Sequence, residues 1–187
     1  MNTNTKKWKK VVILIAAAAL AVAVGIFAWA KGVFLPRWIQ WEEKTVNVEK
    51  EKTEVSQIRL HDRKLEVKSK EKTVWESPEG ILVQDFLWCD LNHDGKDELL
   101  LLCWRIGRYG DARPFWVEKD EKKWSQHIYI YQWKKDRIAP LWMASDIGMD
   151  VEKFEFDVEK RLKITEVSGK VTYWDWISWG LTWIGEE

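Results

Sequence analysis

The chain has 187 residues and a mass of 22.3 kDa, the size of one domain or at most two. Its 30 basic and 30 acidic residues cancel, but positions 1–37 hold six of the basic residues and no acidic one, leaving 24 basic against 30 acidic beyond. An acidic remainder lacks the basic stripe that nucleic-acid phosphates require; an apolar share of 46% excludes a disordered chain, and two cysteines exclude a disulfide scaffold.

Lys6, Lys7, Lys9 and Lys10 precede Val11 to Ala30, an uncharged apolar run of twenty residues. At about 1.5 Å per residue, such a helix spans roughly 30 Å, the thickness of a bilayer's hydrocarbon core. The sequence therefore predicts a basic cytoplasmic tail over 1–10 and a transmembrane helix over 11–30. By the positive-inside rule the bulk of the chain lies outside the membrane. Ala28-Trp29-Ala30 also has the small-residue spacing of a leader cleavage site. The run is longer than a signal peptide's usual apolar segment, which favours a retained anchor. No cysteine follows to carry a lipid.

Residues 31–56 read as a juxtamembrane stalk, because 38–56 are dense in Glu and Lys with few apolar anchors. From residue 57 onward the pattern is that of strands. Lys64–Lys68 and His127–Trp133 alternate; Ile81–Cys89 and Glu98–Trp104 are short apolar runs between turn signals. Ile138–Met143, Lys153–Asp157, Arg161–Glu166 and Lys170–Ile177 continue the series, with a hairpin turn at Ser168-Gly169. About eight or nine strands without an amphipathic helix predict an all-β antiparallel meander over 57–187. Residues 105–125 form one long irregular insertion, a length usually reserved for functional or disordered loops.

The motif with chemistry is Asp90-Leu91-Asn92-His93-Asp94-Gly95-Lys96-Asp97-Glu98. Oxygen side chains at loop positions 1, 3, 5 and 9, with Gly at 6, suit Ca2+, which takes six to eight oxygens in a tight turn. Asp90, Asn92 and Asp94 can converge, the Lys96 carbonyl follows, and Glu98 would close the shell. The loop is not an EF-hand: Leu101 stands where the bidentate Glu belongs, and strand-like runs flank it. The same residues also suit a metal-free Asx-rich turn.

The stretch FLWCDLNHDGKDELLLL resembles the calcium loop of FG-GAP/VCBS-type repeats, D-x-[DN]-x-D-G-x-x-[DE] between two strands of a β-propeller blade. That family normally ends the loop with Asp, so Glu98 could reach the ion through water. The resemblance covers roughly 20 residues and implies a calcium-stabilised surface module in adhesion or assembly. A closed propeller needs at least four blades, more than this length supplies. It implies a partial propeller-like array, a small sandwich or a partner-completed structure. Asp157 to Arg161 lacks the glycine and most ligands of a second loop and reads as a plain hairpin.

Fifteen tryptophans exceed what core filling requires. Those at 75, 88, 104, 116, 124, 133, 142, 174, 176, 179 and 183 serve either core packing or an exposed face for carbohydrate or another envelope polymer. Arg105, Arg108, Tyr109, Arg113 and Trp116 gather in the insertion as a candidate site for an acidic group. A hairpin closing on 90–97 sets Cys89 opposite position 98, out of register with Cys103, so both are expected as buried thiols. His61, His93 and His127 have no zinc spacing, and no catalytic motif appears. The sequence supports a non-enzymatic, membrane-anchored surface module acting on a polymer or partner protein. A carbohydrate-binding accessory protein is the alternative.

Overall fold

A computed structural model describes residues 3–48, 54–109, 113–144 and 147–187. The chain divides into two units, residues 1–36 and 37–187.

The first unit is helix α1, Thr3–Ala30. An 18-residue stretch within Lys7–Ala30 has a mean hydropathy of 2.9, and none of it is buried. Its valines, isoleucines and leucines are exposed on every side, the distribution of a helix solvated by something apolar rather than by water. This is one helix long and apolar enough to cross a membrane, as an anchor or as a leader.

The described residues of the second unit form twelve strands: β1 Lys44–Asn47, β2 Gln57–His61, β3 Lys64–Ser69, β4 Lys72–Glu76, β5 Ile81–Cys89, β6 Glu98–Ile106, β7 Trp124–Lys134, β8 Arg137–Met143, β9 Val151–Phe156, β10 Leu162–Glu166, β11 Val171–Ile177 and β12 Gly180–Glu186. They form three four-stranded antiparallel sheets, β1–β4, β5–β8 and β9–β12, each a meander of consecutive strands.

The middle sheet, β5–β8, is shared by two cores. Side chains of a strand alternate between faces, and β6 is apolar on both. Leu99, Leu101 and Cys103 face the first sheet, where they meet Ile58, Leu60, Leu65, Val67, Tyr129 and Tyr131. Leu100 and Leu102 face the third sheet, with Ile128, Ile130, Phe154, Leu162 and Ile164. The unbroken Leu99-Leu100-Leu101-Leu102 run is thus that of a strand covered on both sides. The two outer faces are polar: Thr45, Arg59 and Glu66 stand in register on the first sheet, Glu155, Lys163 and Tyr173 on the third.

Buried glutamines fasten the middle sheet to β9. Gln126 Oε1 accepts the Val151 N–H at 2.7 Å, and Gln126 Nε2 donates to the Val151 carbonyl and to Gln84 Oε1, both at 2.8 Å. Gln84 Oε1 also accepts from Trp104 Nε1, and its Nε2 donates to the Glu152 carbonyl. Gln126 therefore offers β9 the donor and acceptor that a neighbouring strand would.

The segment expected as a stalk departs from that reading. Residues 37–48 and 54–56 belong to the β unit, with β1 on the edge of the first sheet. Ile39 and Val55 are buried, and Val46 and Val48 pack on the first core. Two alternating valines suffice for an edge strand among charged neighbours, because only one face needs burial. Residues 49–53 of the expected stalk lie outside the described residues.

Candidate metal loop

Strands β5 and β6 pair through Cys89↔Glu98, leaving residues 90–97 as their connection. Leu91 is fully buried in the second core and pins the loop's base. Three Asx side chains then fold the backbone. The Asp94 N–H donates to Asn92 Oδ1 and the Lys96 N–H to Asp94 Oδ1, each at 2.9 Å; the Gly95 N–H donates to Asp90 Oδ2 at 3.1 Å. Gly95 takes the positive φ expected of it, 85°, and His93 takes another at 61°. His93 Nε2 lies 2.9 Å from Asp175 Oδ1, tying the loop to β11.

Glu98 is 2% exposed and turned inward. Its Oε2 accepts the Leu91 and Asn92 N–H groups at 3.0 and 3.3 Å, and its Oε1 accepts from Asn92 Nδ2 at 2.9 Å. Burial raises its pKa from 4.5 to about 7 against these hydrogen bonds, with the Asp94 and Asp90 charges adding to the rise. The Cys89 thiol is pushed up by burial first and by the Glu98, Asp97 and Asp90 charges after it.

The loop offers calcium the right donors: Asp90, Asn92, Asp94 and the Lys96 carbonyl are hard oxygens. One atom asks for a partner, since Asp90 Oδ1 is buried and has no hydrogen bond. Among the described residues, the acidic or histidine trio whose ligand atoms lie within 4.8 Å of one another is Glu43, His61 and Asp62, outside this loop. Glu98 accepts three hydrogen bonds here, only one of them on Oε1, and its carboxylate keeps further lone pairs. Glu98 clasps the loop from beneath, and the oxygen donors of Asp90, Asn92, Asp94 and the Lys96 carbonyl belong to the same loop.

The Glu43 trio joins residues far apart in sequence, which no spacing rule could connect. His61 Nδ1 is 2.9 Å from Glu43 Oε2 and its Nε2 is 3.3 Å from Asp62 Oδ2, so both ring nitrogens already face carboxylates. His127 has no exposed surface: its Nε2 is 2.9 Å from Ser125 Oγ and its Nδ1 is 3.1 Å from the Ala144 carbonyl. That is a serine–histidine pair packed where no substrate reaches the imidazole.

Of the tryptophans singled out, Trp116, Trp179 and Trp183 are exposed, at 71%, 80% and 51%. The others are buried or half-buried; Trp75 and Trp133 pack on the first core, Trp174 and Trp176 on the second. A cleft of about 330 Å³ between the second and third sheets is lined by Ile128, Trp142, Ile147, Ile164, Trp174 and Leu181 among others. The insertion cluster is only partly gathered. Arg105 lies within β6 and donates to the Tyr129 hydroxyl, while Arg108 stacks over Tyr109. Both cysteines are free and buried, Cys89 in the second core and Cys103 in the first.

Compared with known proteins, the chain matches no family model, no curated protein and no solved structure.

Proposed function

We propose that the protein is a membrane-anchored, extracytoplasmic β module with a non-enzymatic binding or assembly role at the cell surface. The observation that carries this reading is α1, apolar on all sides, beside a β unit whose two cores are complete without it. Such a helix needs lipid for its exposed surface, and the lysines before it favour a cytoplasmic N-terminus. The polar outer faces of the sheet stack support a self-contained, sandwich-like layering over a partial propeller awaiting further blades. Mass spectrometry of the membrane-extracted protein tests the anchor: retention of residues 1–30 supports it, and their loss replaces it with a leader.

Within this reading the loop takes one structural Ca2+ through Asp90, Asn92, Asp94 and the Lys96 carbonyl, with Glu98 closing the shell directly or through water. The orphaned Asp90 Oδ1 supports this, as does the FG-GAP/VCBS resemblance. Extracellular modules bind calcium at roughly 10⁻⁴–10⁻³ M, which stabilises by about 0.4–1.4 kcal/mol at 1 mM calcium. Thermal unfolding of the full chain in detergent should shift upward with calcium, and Asp94→Ala should abolish the shift. A parent that ignores calcium reduces the loop to its Asx turns.

The exposure of Trp179 and Trp183 favours one second reading, a face that stacks on carbohydrate or another envelope polymer. Binding on a glycan array that Trp179→Ala and Trp183→Ala remove would establish it.

A further inference from the structure

Three open sheets have six edges, and among the described residues five of them are blunted. β1 and β4 carry Lys44 and Lys72, and β8 carries Pro140. β5 is covered by neighbouring chain: the Glu42 N–H donates to the Gln84 carbonyl, and the Val83 N–H to the Arg63 carbonyl. β9 is bonded through Val151 and Glu152 to the buried glutamines. Charge, proline and cover are the devices that keep an edge strand from pairing further. β12 has none of them over Gly180 to Gly185, and Thr182, Trp183 and Ile184 are exposed. Its shift in register with β11 falls beyond Trp183, so residues 180–183 run as a regular edge.

The register shows which backbone groups that edge presents. Ile177 and Gly180 close a two-residue turn with Ser178 at a φ of 59°. The closing pair of such a turn is hydrogen-bonded, and bonded and non-bonded pairs then alternate. Asp175↔Thr182 is the next bonded pair, while Trp176↔Leu181 and Trp174↔Trp183 are non-bonded. Leu181 and Trp183 therefore turn their N–H and C=O groups away from β11. Trp174, Trp176 and Leu181 pack on the second core, and Trp183, on the same face, is 51% exposed at its margin.

We propose that this edge pairs with β12 of a second copy of the chain, antiparallel about Thr182. Outward N–H and C=O groups call for another strand, and β12 matches itself. Leu181 then lies opposite Trp183 of the second copy, and Trp183 opposite its Leu181, so every one of these outward groups gains a partner. Each Leu181 side chain covers the other copy's Trp183, and Thr182 meets Thr182 at the two-fold axis. Glu186 falls opposite Ser178 instead of a second carboxylate. A two-fold axis repeats each contact, and two four-stranded sheets become one of eight strands. This pairing needs neither the anchor nor the calcium loop.

Sedimentation equilibrium of the full chain in detergent tests it, and a dimer is expected. Trp183→Pro removes an outward N–H and the indole without breaking a ladder bond inside the chain, since proline is tolerated at such edge positions. It should shift the population to monomer, with its unfolding midpoint checking that it folds. Thr182→Cys places a thiol at the axis, where a non-bonded antiparallel pair brings Cα atoms to about 4.5 Å, within reach of a disulfide. Oxidation should cross-link Thr182→Cys several-fold more than Thr45→Cys on the β1 edge, the native thiols being buried. If Trp183→Pro does not fold, the cross-link decides: equal yields at 182 and 45 overturn the pairing. A monomer over the whole loading range overturns it, and so does a dimer that fails to cross-link at 182.

Discussion

Glu98 shows how a residue's neighbours can redirect its chemistry. Its spacing nominates it as a ligand, but its register opposite Cys89 places it at the edge of the second core, where the nearest donors are the Leu91 and Asn92 amides. Spacing was legible in the sequence; the amides' convergence depends on Leu91 being buried beneath the loop, which no local pattern announces. The pH consequence follows from the sign of the shift. With a folded pKa of about 7 against 4.5 unfolded, between those values the folded chain keeps a proton that the unfolded chain has released. Stability therefore falls as pH rises from about 4.5 to 7, by about 3 kcal/mol across the window, and the penalty is absent below it. In calcium-free buffer, Glu98→Gln should flatten that slope, as measured by urea unfolding at pH 5 and pH 8. An unchanged slope would assign the pH dependence to other groups.

Among elements, the strands with strong apolar content were legible, whereas β1, β2, β4 and β12 were not. β5, β6 and β7 carry runs that only a strand of their length can bury. β1 has two valines among charges, and β12, Gly-Leu-Thr-Trp-Ile-Gly-Glu, opens on a glycine and keeps Trp183 and Ile184 exposed. What places β12 is contact rather than pattern. A methyl group added at Gly180 would meet Trp142 Nε1 at 2.8 Å, so the glycine lets the start of β12 lie against the Trp142 ring of β8. Gly180→Ala should cost about 1–3 kcal/mol, the range for overpacking, and should perturb near-UV circular dichroism. Gly185→Ala is the control within the same strand, since open space surrounds that position. Equal effects from the two substitutions would argue for a general loss of backbone freedom instead.

At the scale of the molecule, the middle sheet is a wall common to two rooms, and buried Gln126 and Gln84 bond it to β9. Sequence periodicity sorts residues into faces but does not say which sheet each face meets; Gln126, which no pattern singles out, holds a seam. Gln126→Leu leaves the Val151 amide and carbonyl without partners in a buried place and should cost about 2–4 kcal/mol. The two cysteines make the location of that loss measurable. They sit on opposite faces of one sheet, Cys89 looking toward β9 and Cys103 toward the first sheet. Each is a native clock for the opening of one seam, because a thiol modifies only when its own layer parts. Gln126→Leu should speed modification of Cys89 ahead of Cys103, and equal acceleration would mean that the stack comes apart as a whole. The chain thus carries, in two unpaired sulfurs, a record of which side of it opens first.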